Sequence, residues 1–266
     1  MLKEVDKIVN KIKEIKIQGA RSIAKAALLA YSISPTKSTK RKLINARATE
    51  PMLVNTLNKF EKLGMKKTLE HFDSAQDKIN KLVLKLIKTK SVIFTHCHST
   101  NVINALIYAK KHGKKFQVYN TETRPLFQGR KTARELRKAG IKVTSFVDAA
   151  ARVALTKSQE TEDVDLVFFG ADAMLKNGAI NKIGSGMFAQ IAYDNKIPVY
   201  IIADSWKYTN KVKLEQRNFR EIWKKAPKNI KIKNLAFEQI PKKYIKAIVS
   251  ELGILSLDKF VKKARS

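Results

Sequence analysis

Two side chains of types that move protons, Cys97 and Asp172, each follow a short apolar run, at residues 91–95 and 166–169 respectively. A helix is expected to begin near Ser99, and the N–H dipoles at a helix start favour a thiolate over a thiol. A carboxyl group at the end of a buried strand is partly desolvated, which raises its pKa and lets it carry a proton near neutral pH. Each side chain is therefore a candidate functional group, Cys97 as a thiolate and Asp172 as a carboxyl group that carries a proton near neutral pH.

Both residues also have a structural interpretation, which the sequence leaves open. A lone cysteine is often a small buried hydrophobic residue, and an Asp after a strand often caps the next helix. The neighbouring His96, His98 and Ser99 favour a functional thiol. A metal site between the two imidazoles is disfavoured, because adjacent residues at a strand end point to opposite faces and only His71 and His112 remain as further histidines. We therefore expect no metal.

Three more apolar, β-rich runs end in polar residues. Residues 116–120 lead into a polar segment ending at Arg124, residues 142–147 lead into Asp148, and residues 199–203 lead into Asp204. Segments of helical periodicity separate the five runs, and this alternation predicts a parallel sheet with right-handed crossovers. A late run near residues 235–240 is a candidate for another strand. Since ligands bind at the carboxyl ends of such strands, five successive turns are predicted to form the rim of an active site.

The first ninety residues have helical rather than strand periodicity. The spacing of apolar residues predicts helices over 5–17 and 19–34, and two more over about 50–62 and 66–88. Residues 35–42 are polar and basic, which favours a loop. The predicted fold class is therefore α/β, with an N-terminal helical domain over 1–90 and a catalytic domain over 91–266 built on a parallel sheet covered by helices.

The chain is strongly basic, with 54 Lys and Arg against 23 Asp and Glu and a net charge of +31 over 266 residues. Only 11 of the basic residues are Arg, and the excess is spread along the chain, whereas phosphate and groove readers favour Arg. We therefore expect nucleic acid to bind only non-specifically. The chain has no long uncharged apolar run and no apolar signal core, and it has a single cysteine, so a cytoplasmic protein without a membrane segment is expected.

Candidate ligands for phosphate are scattered along the sequence. The segment from Gly19 to Ser22 opens a helix, which offers backbone N–H groups with the Arg21 cation beside them. Arg47, Lys182 and Lys207 add positive charge beside turns. In so basic a chain, each cation taken alone is more often a solvated surface group, so their position beside turns matters more than their charge.

Taken together, these residues form a series of motifs in a recognisable order. In chain order they are Gly19-Ala20-Arg21-Ser22, Arg47-Ala48-Thr49, Thr95-His96-Cys97-His98-Ser99, Thr123-Arg124-Pro125, Gln128-Gly129-Arg130, Gly170-Ala171-Asp172, Asn181-Lys182-Ile183-Gly184 and Trp206-Lys207-Tyr208. The chain resembles the superfamily of translation initiation factor 2B regulatory subunits and sugar-phosphate isomerases, and within it the archaeal ribose-1,5-bisphosphate isomerase branch. The resemblance covers about residues 17–256 and is most specific between Cys97 and Asp172.

The resemblance implies a Rossmann-like second domain and an enzyme that converts ribose 1,5-bisphosphate to ribulose 1,5-bisphosphate without a cofactor, in nucleotide salvage that supplies RuBisCO. Cys97 and Asp172 match the catalytic positions of the isomerases. The positions matched to substrate binding are Gly19, Ala20, Arg21, Ser22, Arg47, Ser99, Thr100, Asn101, Asn181, Lys182 and Lys207. The resemblance also implies a homo-oligomer, either a dimer or a hexamer, and activation by a nucleoside monophosphate.

Two other functions in the same superfamily stay open. A regulatory subunit without catalysis is one, but regulatory subunits generally lack the cysteine and aspartate pair. Methylthioribose-1-phosphate isomerases share that pair, while His98, Ser99 and the expected need for two phosphate sites favour the bisphosphate branch. The leading expectation is therefore a sugar bisphosphate isomerase.

Overall fold

Four helices precede the first strand in the computed structural model, which describes residues 2–157, 161–214 and 216–265. They are α1 (Leu2–Lys13), α2 (Ala20–Ile33), α3 (Lys37–Ala46) and α4 (Pro51–Leu86). Helix α4 is interrupted at Gly64, whose φ of 76° and ψ of 175° are not helical. The two helices expected over 50–62 and 66–88 are therefore confirmed as the two segments of α4.

The expectation of a loop over residues 35–42 is wrong, because most of this segment belongs to α3. The backbone N–H of Thr39 donates a hydrogen bond to Thr36 Oγ1 at 3.1 Å, which caps the helix start. Thr39, Leu43 and Ala46 are buried along one face, and Leu43 packs in the core of the helical part. Lysine is a good helix former, so a basic segment with a cap and apolar residues at helical spacing folds as a helix.

Within the part of the chain that the structure describes, ten strands and five more α-helices follow. The strands are β1 (Ser91–Thr95), β2 (Phe116–Thr121), β3 (Lys142–Phe146), β4 (Leu166–Phe169), β5 (Ala173–Leu175), β6 (Gly178–Lys182), β7 (Val199–Ile202), β8 (Phe237–Pro241), β9 (Ala247–Ser250) and β10 (Gly253–Leu255). The helices are α5 (Thr100–Lys111), α6 (Gln128–Lys138), α7 (Ala151–Leu155), α8 (Ser185–Asp194) and α9 (Leu257–Arg265). The predicted α/β class is confirmed.

The main sheet has seven strands in the order β10-β9-β7-β4-β1-β2-β3. Neighbouring strands are parallel, except that β10 is antiparallel to β9. All five apolar runs predicted as strands lie in this sheet. The late run contributes β8, which instead pairs with β6 in a separate antiparallel sheet of order β5-β6-β8.

Apolar side chains are buried on both faces of the main sheet, as expected for parallel strands covered by helices. Phe94 and Phe169 belong to the cluster on one face. Ile93 and Phe168 belong to the cluster on the other face, together with Ile79 and others from the second segment of α4. Helix α4 therefore connects the N-terminal helices to the sheet. The described residues contain no helix long and apolar enough to cross a bilayer.

Candidate active site

The strand order creates a crevice between β1 and β4. These strands are parallel neighbours, with Ile93 opposite Leu166, and the sheet continues from them to β2 on one side and to β7 on the other. Such a switch point leaves a crevice beyond the carboxyl ends of the strands, where ligands bind in open α/β sheets. Cys97 follows β1 and Asp172 follows β4, so the fold brings both to this crevice.

Two adjoining cavities open at the crevice, and both are lined by Gly19, Cys97, His98, Thr100 and Asp172. The first cavity is also lined by Ser22, Arg47 and Lys182, and the second by Ala20, Arg21, Ser99, Asn101, Asn181 and Lys207. Every residue predicted from the sequence for catalysis or substrate binding therefore lines at least one cavity. Their individual roles stay predictions.

The backbone of Cys97 is clamped from two sides. Its φ is 67°, in the left-handed region that side chains other than glycine seldom adopt. The Cys97 N–H donates to Thr123 Oγ1 at 3.0 Å, and the Cys97 carbonyl accepts from Thr132 Oγ1 at 2.7 Å. Asp148, which follows β3, accepts from the Thr123 N–H at 2.8 Å. The turns after β1, β2 and β3 therefore hold the thiol in one place.

The surroundings of Cys97 oppose the thiolate that the sequence predicts. Burial raises the pKa of the thiol to about 11, and the charge of Asp172 adds to the rise, while the charge of Lys182 opposes it. Helix α5 begins only at Thr100, and the stabilisation that a helix start offers is smaller than the cost of removing solvent from a thiolate. These surroundings favour the thiol form of Cys97 over the thiolate.

Asp172 has the raised pKa that its position predicts. Burial is the main cause, and the nearby charges of Lys207, Lys182 and Arg47 oppose it, in that order of strength. The Asp172 N–H donates to Ile180 O at 2.8 Å, and the chain continues into β5 rather than into a helix. The alternative of a helix-capping aspartate is therefore wrong.

The cations at the cavities have different surroundings. The Arg21 guanidinium pairs with Asp73 on α4, so its charge is partly neutralised. The Lys182 ammonium lies 4.6 Å from the centre of the Phe237 ring. Lys182 and Lys207 are buried, with exposed fractions of 8% and 5%. Buried ammonium groups need compensating partners, and a phosphate in the cavity would supply such a partner.

Asn181 lies near the end of strand β6. Its Nδ2 donates to Ser185 Oγ at 2.9 Å, and Ser185 Oγ in turn donates to Lys182 O at 2.7 Å. These bonds tie the end of β6 to the start of α8, where Gly184 precedes the first helical residue with a φ of 98°. The pair Asn181 and Lys182 is therefore fixed by local hydrogen bonds before any ligand binds.

The histidines beside Cys97 do not converge on it. His96 is hydrogen-bonded to Thr121 Oγ1 and to Ile183 O, and burial lowers its pKa to about 4. His98 is hydrogen-bonded to Thr132 Oγ1 at 3.2 Å, and burial lowers its pKa to about 4 as well. Both imidazoles are therefore neutral near pH 7.

A different histidine belongs to the single group of metal-ligand types found among the described residues. The side chains of His71, Asp204 and Glu251 offer atoms within 4.8 Å of one another. His71 Nε2 is 3.1 Å from each oxygen of Asp204, so these two side chains are already joined by hydrogen bonds. This group is not among the residues that line the two cavities.

Several residues that line the first cavity were missed from the sequence, among them Gln128, Lys131, Arg217 and Phe237. Gln128 is the first residue of α6 and follows the turn after β2, so the rule that predicted Cys97 and Asp172 could also have found it. Arg217 lies in an irregular stretch between β7 and β8, where no periodic pattern indicates which side chains meet the site.

Comparisons with known proteins agree with this architecture. The family model described as "Initiation factor 2 subunit family" matches residues 20–257. Ribose 1,5-bisphosphate isomerase of Archaeoglobus fulgidus is 31% identical, over 96% of this chain and 90% of the relative, and that of Methanocaldococcus jannaschii is 34% identical, over 92% and 89%. The crystal structure of translation initiation factor eIF-2B from Pyrococcus horikoshii OT3 has a TM-score of 0.84 at 26% identity, covering 97% of this chain and 98% of that one. With both the helical part and the sheet matched, the chain belongs to the initiation factor 2 subunit family.

Proposed function

We propose that this protein is an isomerase that converts ribose 1,5-bisphosphate to ribulose 1,5-bisphosphate. The observation that carries the proposal is that Cys97 and Asp172 line the same two cavities at the ends of adjacent parallel strands. An aldose–ketose isomerisation needs one group that moves a proton between two carbons and another that donates protons to oxygens and accepts protons from them. A thiol and a carboxyl group are suited to these tasks. Relatives named for this reaction match almost the whole chain.

The charge of the cavity lining favours a substrate with two phosphates. Arg47, Lys182 and Lys207 line the cavities, and the start of α2 at Gly19 adds backbone N–H groups. A pentose bisphosphate carries up to four negative charges. The net charge of +31 on the chain would draw such a substrate in, with an on-rate that falls as salt rises.

The proposed reaction balances with two proton carriers. Asp172 donates its proton to the ring oxygen, and the bond from that oxygen to C1 breaks while C1 keeps its phosphate ester. The Cys97 thiolate takes the proton from C2, which leaves an enol between C1 and C2. The thiol then returns this proton to C1, and the Asp172 carboxylate takes the proton of the C2 hydroxyl, giving the ketone at C2.

The reactive form of this pair is a minor one. The step at C2 needs the Cys97 thiolate together with protonated Asp172, whereas a thiol with a pKa of about 11 stays protonated at neutral pH. When the acid of a pair titrates below the base, the fraction in the reactive form is small and constant between the two pKa values. Of the charges near Cys97, that of Lys182 does most to favour the thiolate.

The test is to incubate the purified protein with ribose 1,5-bisphosphate and follow ribulose 1,5-bisphosphate. Turnover by the wild type that is lost in both Cys97→Ser and Asp172→Asn is the expected result. Methylthioribose 1-phosphate is assayed in parallel, and preference for it would move the assignment to that reaction. Retention of initiation factor 2 on the immobilised protein, with neither sugar turned over, would instead support a regulatory subunit like the initiation factor to which the fold is similar.

Assembly and regulation form a further part of the proposal. We expect a homo-oligomer, either a dimer or a hexamer, in the cytoplasm, with activity raised by a nucleoside monophosphate and a product that RuBisCO consumes. Light scattering coupled to size exclusion measures the assembly. Turnover with and without added nucleoside monophosphate measures the activation.

A further inference from the structure

Lys207 occupies a buried turn that faces Asp172 from the side of β7. It ends the short 3-10 turn Ser205–Lys207 that follows β7, and 5% of the residue is exposed. Its ammonium group donates to the carbonyl of Ala171 at 2.7 Å and to Asn101 Oδ1 at 3.3 Å. Because Ala171 directly precedes Asp172, these bonds place the positive charge beside the carboxyl group.

A flexible four-carbon stem does not hold an ammonium group in one place by itself. The surroundings must supply the constraint, and here three polar side chains from α4 do so. The first binds the backbone of the Lys207 turn, and the second binds the carboxylate group that precedes this turn. The third binds the side chain that accepts a hydrogen bond from the ammonium group.

Asn55 binds the backbone on both sides of Lys207. Its Nδ2 donates to Trp206 O at 2.7 Å and to Tyr208 O at 2.9 Å. These two carbonyls belong to the residues that flank the lysine. One side-chain amide on α4 therefore sets the path of the backbone through Lys207.

His71 fixes the start of the same turn. Its Nε2 is 3.1 Å from each carboxylate oxygen of Asp204, and Asp204 Oδ1 accepts from the Trp206 N–H at 2.8 Å. The imidazole also stacks on the Trp206 indole, with ring centres 3.7 Å apart and planes 3° from parallel. The turn is therefore held to α4 by a hydrogen-bonded carboxylate and by a ring stack.

Gln76 orients the partner of the ammonium group. Its Oε1 accepts from Asn101 Nδ2 at 2.9 Å, which leaves Asn101 Oδ1 turned toward Lys207. Its Nε2 donates to Asn80 Oδ1 at 2.7 Å, so the orientation of the Gln76 amide is itself fixed. Gln76 and Asn101 are both buried, and water does not easily substitute for these bonds.

We propose that Asn55, His71 and Gln76 on α4 are positioning residues that hold the Lys207 ammonium group beside Asp172. Their catalytic meaning rests on the proposed function, whereas their effect on the ionisation of Asp172 does not. Asp172 also faces Lys182 and Arg47, and of the three cations Lys207 opposes the rise of its pKa most. Helix α4 thereby influences the pKa of Asp172 from outside the sheet.

The proposal is tested by measuring the pKa of Asp172 directly. The protein is labelled with carbon-13 at aspartate carboxyl groups and titrated by NMR, and the Asp172→Asn variant identifies the signal. Removing the cation in Lys207→Met should raise the pKa of Asp172. Asn55→Ala, His71→Leu and Gln76→Leu should each raise it by less than Lys207→Met does. His71→Gln keeps a donor for Asp204 but loses the ring stack, so it should raise the pKa less than His71→Leu does.

A double variant distinguishes positioning through Lys207 from a general loosening of the fold. In the Lys207→Met background, Gln76→Leu should cause no additional shift, because the charge that it positions is gone. The matched control is Asn195→Ala, which removes a hydrogen bond of the same type, from Nδ2 to Ile191 O at 2.9 Å at the end of α8, and should not move the signal. Circular dichroism and thermal melting establish that each variant is folded.

The proposal is overturned if the folded α4 variants leave the pKa of Asp172 unchanged, or if Gln76→Leu shifts it equally with and without Lys207. If ribose 1,5-bisphosphate is turned over, kcat should also change in the α4 variants by on the order of tenfold or more. If it is not turned over, the proposed function fails, while the titration still decides the positioning role.

Discussion

Gly170 lies directly against Ser99, so that a Cβ atom at position 170 would stand 2.4 Å from Ser99 Oγ. This approach joins the turn that carries Asp172 to the segment that carries Cys97. Glycine is needed here for space, since a Cβ would also come within 2.5 Å of Ser99 Cβ. The two segments that carry the reactive side chains are therefore in close contact at this point.

We predict that Gly170→Ala lowers both stability and turnover. Overpacking of this kind destabilises a fold by about 1–3 kcal/mol, and a displacement of about 1 Å at a reacting group lowers turnover by up to about 100-fold. Chemical denaturation and the isomerase assay measure the two effects. The double variant Gly170→Ala/Ser99→Gly removes both clashing atoms, so it should recover most of the lost stability. Failure to recover would mean that the contact with Ser99 is not the cause.

The sole cysteine allows the ionisation of Cys97 to be measured without a substrate. We predict that the rate of alkylation by iodoacetamide rises with pH to a midpoint of about 11, because burial disfavours the thiolate. Asp172→Asn should lower the midpoint by removing a negative charge, and Lys182→Met should raise it by removing a positive one. A midpoint of about 8.5, the ordinary value for a thiol, would contradict the burial of this group.

The pH profile of kcat/KM should report the same two groups. With protonated Asp172 and the Cys97 thiolate as the reactive form, the rate should rise through the pKa of Asp172, stay level, and fall only near the pKa of Cys97 at about 11. The rate stays level between the two pKa values because the gain in Cys97 thiolate with rising pH cancels the loss of protonated Asp172. A profile that falls steeply between pH 7 and 9 would exclude this assignment.

Thr132 is predicted to stabilise the backbone conformation of Cys97. Thr132→Val removes the hydrogen bond to the Cys97 carbonyl, whose loss from a buried site costs about 1–3 kcal/mol. Turnover should fall with it, because the left-handed conformation of Cys97 loses one of its two clamps. Thr132→Ser keeps the hydroxyl group and should retain most of the activity. Denaturation curves and kinetics of the two variants provide the comparison, and equal behaviour would show that the hydroxyl group is unimportant.

Local pattern was sufficient for five of the seven strands of the main sheet, though not for β9 and β10, and for the meeting of Cys97 and Asp172. The five apolar runs are short and β-rich, and parallel strands place their carboxyl ends at one edge, so the position of a residue after its strand predicts where it lies. Helix α3 was missed because its capping threonine and its apolar residues stand among lysines, whose charge gave the segment the appearance of a loop.

The sequence by itself determined the α/β architecture and the series of motifs, because these depend on periodicity and on neighbours along the chain. The resemblance carried by those motifs supplied many, but not all, of the residues that line the cavities. Only the tertiary structure decided the environment that governs the ionisation of Cys97. The groups that exclude solvent from the thiol, and the charged groups near it, come from distant segments of the chain. It also decided the placement of Lys207. Asn55 donates hydrogen bonds to the two residues that flank this lysine, and these lie 151 and 153 residues from Asn55 along the chain. Solvent exclusion and long-range hydrogen bonds arise from packing, and no spacing rule along one chain contains them.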